Sequence, residues 1–422
     1  MKKYIILPVV ATLLFAACRK DADFNPYIGE TGKLAYSNYT EQFQYLWKCL
    51  NTGYVFWDVD TVDWDAAYNR YLPIFEELDR KFADSGYVRT AELEEIYSGL
   101  TGKLLDHHML FLVKNLHPQP GDTYPYAIIE PGFEEVQARD YYIEDRWIEQ
   151  SNMITFLSGL ENDYTVTNHS SAEATIPENG STIHIEYCIF TLSDGRKVPY
   201  LWTTEAALSP IMRDHIDNAA QSLIDQWLTT ICNTPRNQLA GIILDQRSNS
   251  GGYQDDLDYL IGPFINQRTE MFKTRYKEGP GKLEYSAWCP YYQYPNPDYH
   301  RDITAENIPY VILTDINSVS MAEIGPLAIR KLLPTAHIIG ERTWGGTGPL
   351  QNNAVNLNYG GPFGDYTISH HYVYTSTFET VFDGKVLEGI GVIPDEEVLR
   401  INDPSHSFKP QLDAAINYLK NY

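Results

Sequence analysis

Apolar residues recur every three or four positions in three stretches near the start of the chain: Phe43, Leu46, Trp47 and Leu50; Tyr68, Leu72, Phe75 and Leu78; Leu93, Ile96, Tyr97 and Leu100. Each set falls on one helical face, which predicts a helical N-terminal domain over residues 38–109. The period changes after it. Residues 110–196 carry short alternating runs among Pro, Gly, Asn, Thr and Tyr, such as TIHIEY at 182–187, and predict a β-rich middle module. From 197 to 422 the pattern is strand–helix–strand. LAGIILD (239–245), PYVILT (309–314) and AHIIG (336–340) are continuous apolar runs. Between and after them lie helical stripes: Ile216, Ala219, Ala220, Leu223, Ile224, Trp227 and Leu228; Ile324, Leu327, Ala328 and Leu332; Leu412, Ala415, Ile416 and Leu419. Apolar strands alternating with amphipathic helices predict an α/β domain with a largely parallel sheet covered on both faces.

The first residues fall outside this pattern. Lys2 and Lys3 precede a nearly unbroken apolar run at 4–17, too short for a confident membrane-spanning helix and patterned as a secretory signal. Ala16 and Ala17 before Cys18 resemble a lipoprotein cleavage box, which implies a signal peptide over 1–18, lipid attachment at Cys18 and a polar tether over 19–37. The expected location is the cell envelope, on the periplasmic or cell-surface side, with the membrane reached through that lipid. Of the 422 residues 32 are basic and 56 acidic, a net charge of −24 that argues against nucleic acid as a partner. Cys49, Cys188, Cys232 and Cys289 form no CxxC pair, so neither a zinc site nor a disulfide pairing follows from them.

Two loops concentrate chemistry. DQRSNSGG (245–252) follows a buried strand, and ligands in such sheets bind at the carboxyl ends of strands. Gly251 and Gly252 let backbone amides approach a substrate, which suits an oxyanion hole; the plainer reading is a tight turn held by Asp245 and Arg247. NSVSMAE (317–323) follows the next buried strand and opens a helix. A hydroxyl there, Ser318 or Ser320, is either an N-cap or a nucleophile whose intermediate faces the helix amides.

In order along the chain, LLDHHML (104–110), DQRSNSGG, SVSMAE, GERTWGG (340–346), LEGIGVIPD (387–395) and QLDAAINYL (411–419) resemble the tail-specific (C-terminal processing) and tricorn-like serine peptidase superfamily. The similarity covers about residues 40–108 and 197–420. It implies a crotonase/ClpP-like spiral-sheet core, and a PDZ-like module, here degenerate, in the middle segment, where no clear carboxylate-binding glycine loop is visible. It makes Ser320 the nucleophile, with the Met321 amide and that of Gly251 or Gly252 as oxyanion donors.

The lysine base of the C-terminal processing branch would fall at Gly346 and is missing. Lys331 lies eleven residues past Ser320 on the same expected helix, roughly 16 Å away, and Lys385 lies in a DGK turn. The tricorn-like pattern instead offers His108 as base and Glu388 as the late carboxylate, with Asp106 beside it; His107 stands where that pattern has serine and is itself a second candidate base. Glu323 is expected to brace its own helix. The implied activity is serine-type hydrolysis of peptides or unfolded protein ends, as an endopeptidase or a carboxy-terminal processing peptidase, with no cofactor and no metal. The competing reading is a catalytically silent peptide-binding lipoprotein on the same fold. Oligomeric state is not readable.

Overall fold

The computed structural model describes residues 37–139, 146–278, 281–350, 371–401 and 407–422. Cys18, the apolar run before it and His370 lie outside the described residues.

Three helices open the fold: α1 (Tyr39–Gly53), α2 (Trp64–Ser85) and α3 (Thr90–Thr101). Asn38 and Asp63 cap α1 and α2 by accepting the N–H groups of Glu41 and Ala66, and Gly86 at φ 76° ends α2 in a left-handed turn. The predicted apolar faces meet one another: Phe43, Leu46, Leu50, Phe75, Leu78, Leu93 and Tyr97 form one buried cluster. That cluster also packs on strands β1 (Leu110–Lys114) and β2 (Tyr126–Ile129), which pair antiparallel.

Residues 110–196 divide between two sheets and carry two helices of their own. After β2 come α4 (Pro131–Gln137) and α5 (Arg146–Leu157). Strands β3 (Val166–Thr175) and β4 (Thr182–Thr191) then form a hairpin on the edge of the central sheet. The difference from a single β-rich module has a simple cause. Ile183, Ile185, Tyr187 and Ile189 alternate along β4 and are buried in the same core as helices that follow residue 197, so their apolar face is satisfied only there.

The rest of the chain supplies β5 (Lys197–Thr203), α6 (Leu208–Asp214), α7 (Asn218–Asn233), β6 (Ile242–Asp245), α8 (Leu257–Leu260), β7 (Thr269–Tyr276), β8 (Cys289–Gln293), β9 (Tyr310–Thr314), α9 (Met321–Leu332), β10 (Ala336–Gly340), β11 (His371–Tyr374), β12 (Phe378–Phe382), β13 (Lys385–Val386), β14 (Glu396–Glu397) and α10 (Lys409–Asn421). The central sheet runs β14-β10-β9-β6-β5-β4-β3, parallel from β14 to β5 and antiparallel beyond. Its inner strands β6 and β9 are buried along their whole length because both faces are covered. Ile242, Leu244 and Ile312 join α7 and α9 in one core, while Ile243, Val311 and Leu313 join α5 and α10 in another. Two smaller sheets complete the fold, β11-β1-β2 and β13-β12-β7-β8. Through β11 a strand of the C-terminal segment pairs with β1, which fixes the N-terminal helices against the core.

Cys49, Cys188, Cys232 and Cys289 are free thiols. Among the described residues no helix is long and apolar enough to cross a membrane.

Candidate active site

The carboxyl ends of β6 and β9 carry the two loops singled out in the sequence. The turn after β9 is held by side chains that have no spare capacity. Ser318 donates its hydroxyl to the Gln246 carbonyl at 2.7 Å and accepts the Asp315 N–H at 3.0 Å. Asp315 in turn accepts the Ser248 N–H at 2.9 Å. Ser318 is therefore a buried strut between the loops.

Ser320 has a different conformation. It precedes α9 with φ 61° and ψ −118°, a region that non-glycine residues occupy only when their surroundings impose it. Three contacts impose it here. The Ser320 N–H reaches the Gly346 carbonyl at 3.1 Å and the Glu323 carboxylate at 3.0 Å, and the Val319 N–H reaches the Asn249 carbonyl at 3.1 Å.

The glycine loop packs directly against this turn. A Cβ on Gly251 would lie 2.5 Å from the Ser320 Cβ and 2.9 Å from the Met321 nitrogen. Gly251 also adopts φ 83°, so glycine is required for both reasons. Its N–H donates to the Asn249 side chain at 2.8 Å. The N–H groups of Gly252 and of Met321, the first residue of α9, have no acceptor among the described residues.

Glu323 is fully buried and ties the turn to the GERTWGG loop. Besides Ser320 it accepts the Gly345 N–H at 2.8 Å and the Thr343 hydroxyl at 2.5 Å. Burial outweighs these donors and pushes its carboxyl up to about 7. A carboxyl raised on folding binds its proton more tightly in the native state, so its contribution to stability is present below about pH 4.5 and lost as pH rises through about 7. Melting temperature is expected to fall less steeply across that window in Glu323→Gln than in the wild type, measured by calorimetry; equal slopes count against the assignment.

The two adjacent histidines come from the loop between α3 and β1 and face different surroundings. The His107 ring is clamped between glycines: a Cβ on Gly132 would lie 2.6 Å from it and one on Gly345 2.8 Å. Its Nδ1 lies 2.9 Å from the Trp344 carbonyl and so carries the hydrogen, while the Trp344 indole N–H donates back to the His107 carbonyl at 3.0 Å. Burial pulls the His107 imidazole below its ordinary range.

The His108 ring lies beside Gly346. A Cβ on Gly346 would lie 3.0 Å from His108 Cε1 and 3.1 Å from its Nδ1. The same Gly346 accepts the Ser320 N–H. One ligand-type atom each of Asp106, His108 and Glu388 lie within 4.8 Å of one another. Both carboxylates are buried. Asp106 accepts the N–H groups of His108 and Ser376 and the hydroxyls of Thr375 and Ser376, at 2.6–3.0 Å. Glu388 accepts the N–H groups of His107, Thr347 and Gly348 and the Thr347 hydroxyl, at 2.6–3.2 Å. These donors occupy the carboxylate oxygens, which does not suit a metal centre. Burial raises both carboxyls, and for Glu388 the charge of Asp106 adds to it.

A cavity of about 600 Å³ opens beside this group, lined by His107, His108, Val319, Trp344, Phe133 and Ser250 among others. The lysines are elsewhere: Lys331 pairs with Asp383 at 3.0 Å, and Lys385 is exposed in β13. Asp245 and Arg247 form a fully buried pair behind the glycine loop.

Thr375, Ser376 and Thr347 escaped the sequence reading. Hydroxyl residues in polar runs carry no period or spacing, and only their convergence on Asp106 and Glu388 marks them.

Residues 214–398 match peptidase family S41. No curated protein matches the chain in sequence. In fold the chain is similar to a candidate peptidase from Parabacteroides merdae, with TM-score 0.61 and 20% identity over 91% of this chain and 97% of that one. It is also similar to mature CPAF, with TM-score 0.53 and 13% identity over 91% of this chain and 96% of the other. The segment 214–398 that matches peptidase family S41 spans both loops and the late glutamate motif.

Proposed function

We propose that the chain is a serine-type peptidase that hydrolyses peptide bonds in peptides or unfolded protein ends. Ser320 is the nucleophile, His108 the general base, and the amides of Met321 and Gly252 the oxyanion donors. The observation that carries this reading is the His108 ring at Gly346, the residue whose carbonyl holds the Ser320 backbone. The imidazole fills the place of the missing lysine, with two buried carboxylates around it.

His108 takes the proton from the Ser320 hydroxyl as Oγ bonds to the substrate carbonyl carbon. The resulting imidazolium is stabilised by Asp106 and Glu388, and the developing oxyanion by the two amides. Collapse breaks the C–N bond and returns the proton to the leaving amine. Water, activated by the same imidazole, then hydrolyses the acyl-enzyme. The strained Ser320 conformation supports this role, because strain of this kind collects at functional sites. The N-terminal apolar run and Cys18 support an exported, lipid-anchored protein of the cell envelope. The division at 38–109, 110–196 and 197–422 remains a description of chain segments, since strands cross those boundaries.

A fluorophosphonate probe tests the assignment. Wild type and Ser318→Ala are expected to label and Ser320→Ala is not, with circular dichroism confirming the fold of each. Absence of labelling in folded wild type favours the silent peptide-binding reading, which the missing lysine at Gly346 otherwise motivates.

A further inference from the structure

Helix α4 meets the histidine loop under tight constraint. A Cβ on Gly132 would lie 2.6 Å from the His107 ring, so the start of the helix is pressed against that side chain. The next residue, Phe133, is thereby set beside Trp344, with ring centroids 6.2 Å apart and planes inclined by 36°. Trp344 is fixed at each of its polar points. Its N–H donates to the Ser318 carbonyl at 3.1 Å, its carbonyl lies 2.9 Å from His107 Nδ1, and its indole N–H donates to the His107 carbonyl at 3.0 Å. Both rings are half-buried, and both line the cavity of about 600 Å³ that reaches His108 and Val319, the residue before Ser320. Trp147 lines the same cavity and is 68% exposed, an unusual position for an indole. Its helix, α5, is tied to the glycine loop through Gln150, which donates to the Ser248 carbonyl at 2.9 Å and to the Thr204 carbonyl at 3.1 Å.

We propose that Phe133, Trp344 and Trp147 form a subsite for an aromatic side chain next to the scissile bond. The inference rests on the peptidase reading and deepens it by naming the substrate class. Two tilted rings at this separation are in the range where aromatic groups attract one another, and a third ring entering the cavity extends the same arrangement. The wall is also preorganised. Hydrogen bonds at the Trp344 N–H, carbonyl and indole hold that ring before any substrate arrives, so little side-chain freedom is lost on binding. With its indole N–H spent on His107, Trp344 offers the substrate a carbon surface that rewards an apolar ring over a polar group. Trp147 gains most from contact, because its exposed indole leaves water when a substrate ring covers it. The placement follows from the chain. The Trp344 carbonyl holds His107, the neighbour of His108, and two residues on, the Gly346 carbonyl holds the Ser320 N–H. The wall is therefore tied at both ends to the groups assigned to the chemistry. Ser250 and Asn317 line the same cavity and supply polar surface for a peptide backbone.

Cleavage sites in unfolded protein, mapped by mass spectrometry, are expected to share Phe, Tyr or Trp at one fixed position within about two residues of the cut. In peptides that differ only at that position, kcat/KM is expected to be about 10–100-fold higher for Phe than for Ala, from the apolar area buried. The Phe peptide is also expected to exceed the Leu peptide by about 2–10-fold, from the contact between rings. Phe133→Leu and Trp147→Leu keep apolar bulk and remove a ring, so each is expected to lower the Phe-to-Leu ratio toward 1. Circular dichroism checks the fold of both. The same peptides are titrated by calorimetry into Ser320→Ala, which needs no turnover, and the same order is expected in Kd. A wild type that cuts Phe and Leu peptides equally, or a ratio unchanged in both variants, overturns this inference and leaves the peptidase reading standing. Ring-selective binding by a wild type that hydrolyses nothing overturns the peptidase reading and keeps the aromatic subsite. Absence of both hydrolysis and selective binding overturns both.

Discussion

Replacing His108 by alanine is expected to lower kcat/KM for peptide hydrolysis by about 10²–10⁴-fold, the range that a positioned general base supplies. Placing a lysine where the resemblance to the C-terminal processing branch expects one, with Gly346→Lys, is expected to cause a comparable loss rather than a gain. The reason is spatial. At Gly346 the first carbon of any side chain would lie 3.0 Å from both the His108 ring and Val319 Cγ2, and the Gly346 carbonyl holds the Ser320 N–H. A lysine there must displace the imidazole, the Val319 side chain or the backbone that sets φ at Ser320. The two carboxylates give the complementary argument. Burial raises both carboxyls, and the negative charge that the Asp106–Glu388 pair keeps, within reach of His108, favours the proton transfer that turns this imidazole into a cation. Steady-state kinetics on unfolded protein and on peptide libraries, with folding checked by circular dichroism, decide the matter. An active Gly346→Lys enzyme combined with an active His108→Ala enzyme would remove His108 from the mechanism altogether.

Arg247→Met is expected to destabilise the protein by about 3–5 kcal/mol, the cost of stranding one partner of a buried ion pair. Arg247 and Asp245 are both fully buried at the end of β6. The guanidinium binds both Asp245 oxygens through Nε at 2.9 and 3.0 Å, and donates through Nη1 to the Phe408 carbonyl at 2.5 Å and to Gln411 at 3.1 Å. Its own carbonyl accepts the Trp202 indole N–H at 2.8 Å. One side chain thus joins the glycine loop to α10, the last helix of the chain. Methionine keeps much of the apolar stem and removes the charge, which leaves Asp245 with the Tyr200 hydroxyl at 2.8 Å as its remaining side-chain donor. Asp245→Leu combined with Arg247→Met is expected to cost less than Arg247→Met alone, because no unpaired charge remains. Urea unfolding of wild type, both single variants and the double variant measures this directly. A double variant no more stable than Arg247→Met contradicts it.

Much of the frame was legible from local pattern. The three N-terminal helices, the buried runs at 239–245, 309–314 and 336–340, and the stripes of α7, α9 and α10 all announce themselves by period. A strand covered on both faces and a helix covered on one leave different spacings of apolar residues. The order of short motifs likewise pointed to family and to the two loops, because a loop that must bring backbone close to a substrate needs glycine at fixed offsets. The middle segment was less legible. Its hairpin β3–β4 reads locally as part of a β module, yet β4 buries its face in the core shared with α7 and α9. Alternation reveals a half-buried strand without naming the surface that buries it.

The site was divided in the same way. The glycine pair stood out by residue type, and the resemblance carried by the ordered motifs nominated Ser320, His108 and Glu388. Choosing between neighbours required the folded chain. Ser318 and Ser320 are equivalent as letters, but one hydroxyl is spent between Gln246 and Asp315 while the other belongs to a strained residue at a helix start. Gly251 and Gly252 are equivalent too, until Asn249 takes the Gly251 amide. His107 and His108 differ only because Trp344 claims one ring and Gly346 makes room for the other. Chain order records which groups are present and near one another along the backbone. Which of their donors and acceptors are already used depends in large part on partners 46 to 281 residues away, and those meet only when the sheet and its loops have formed.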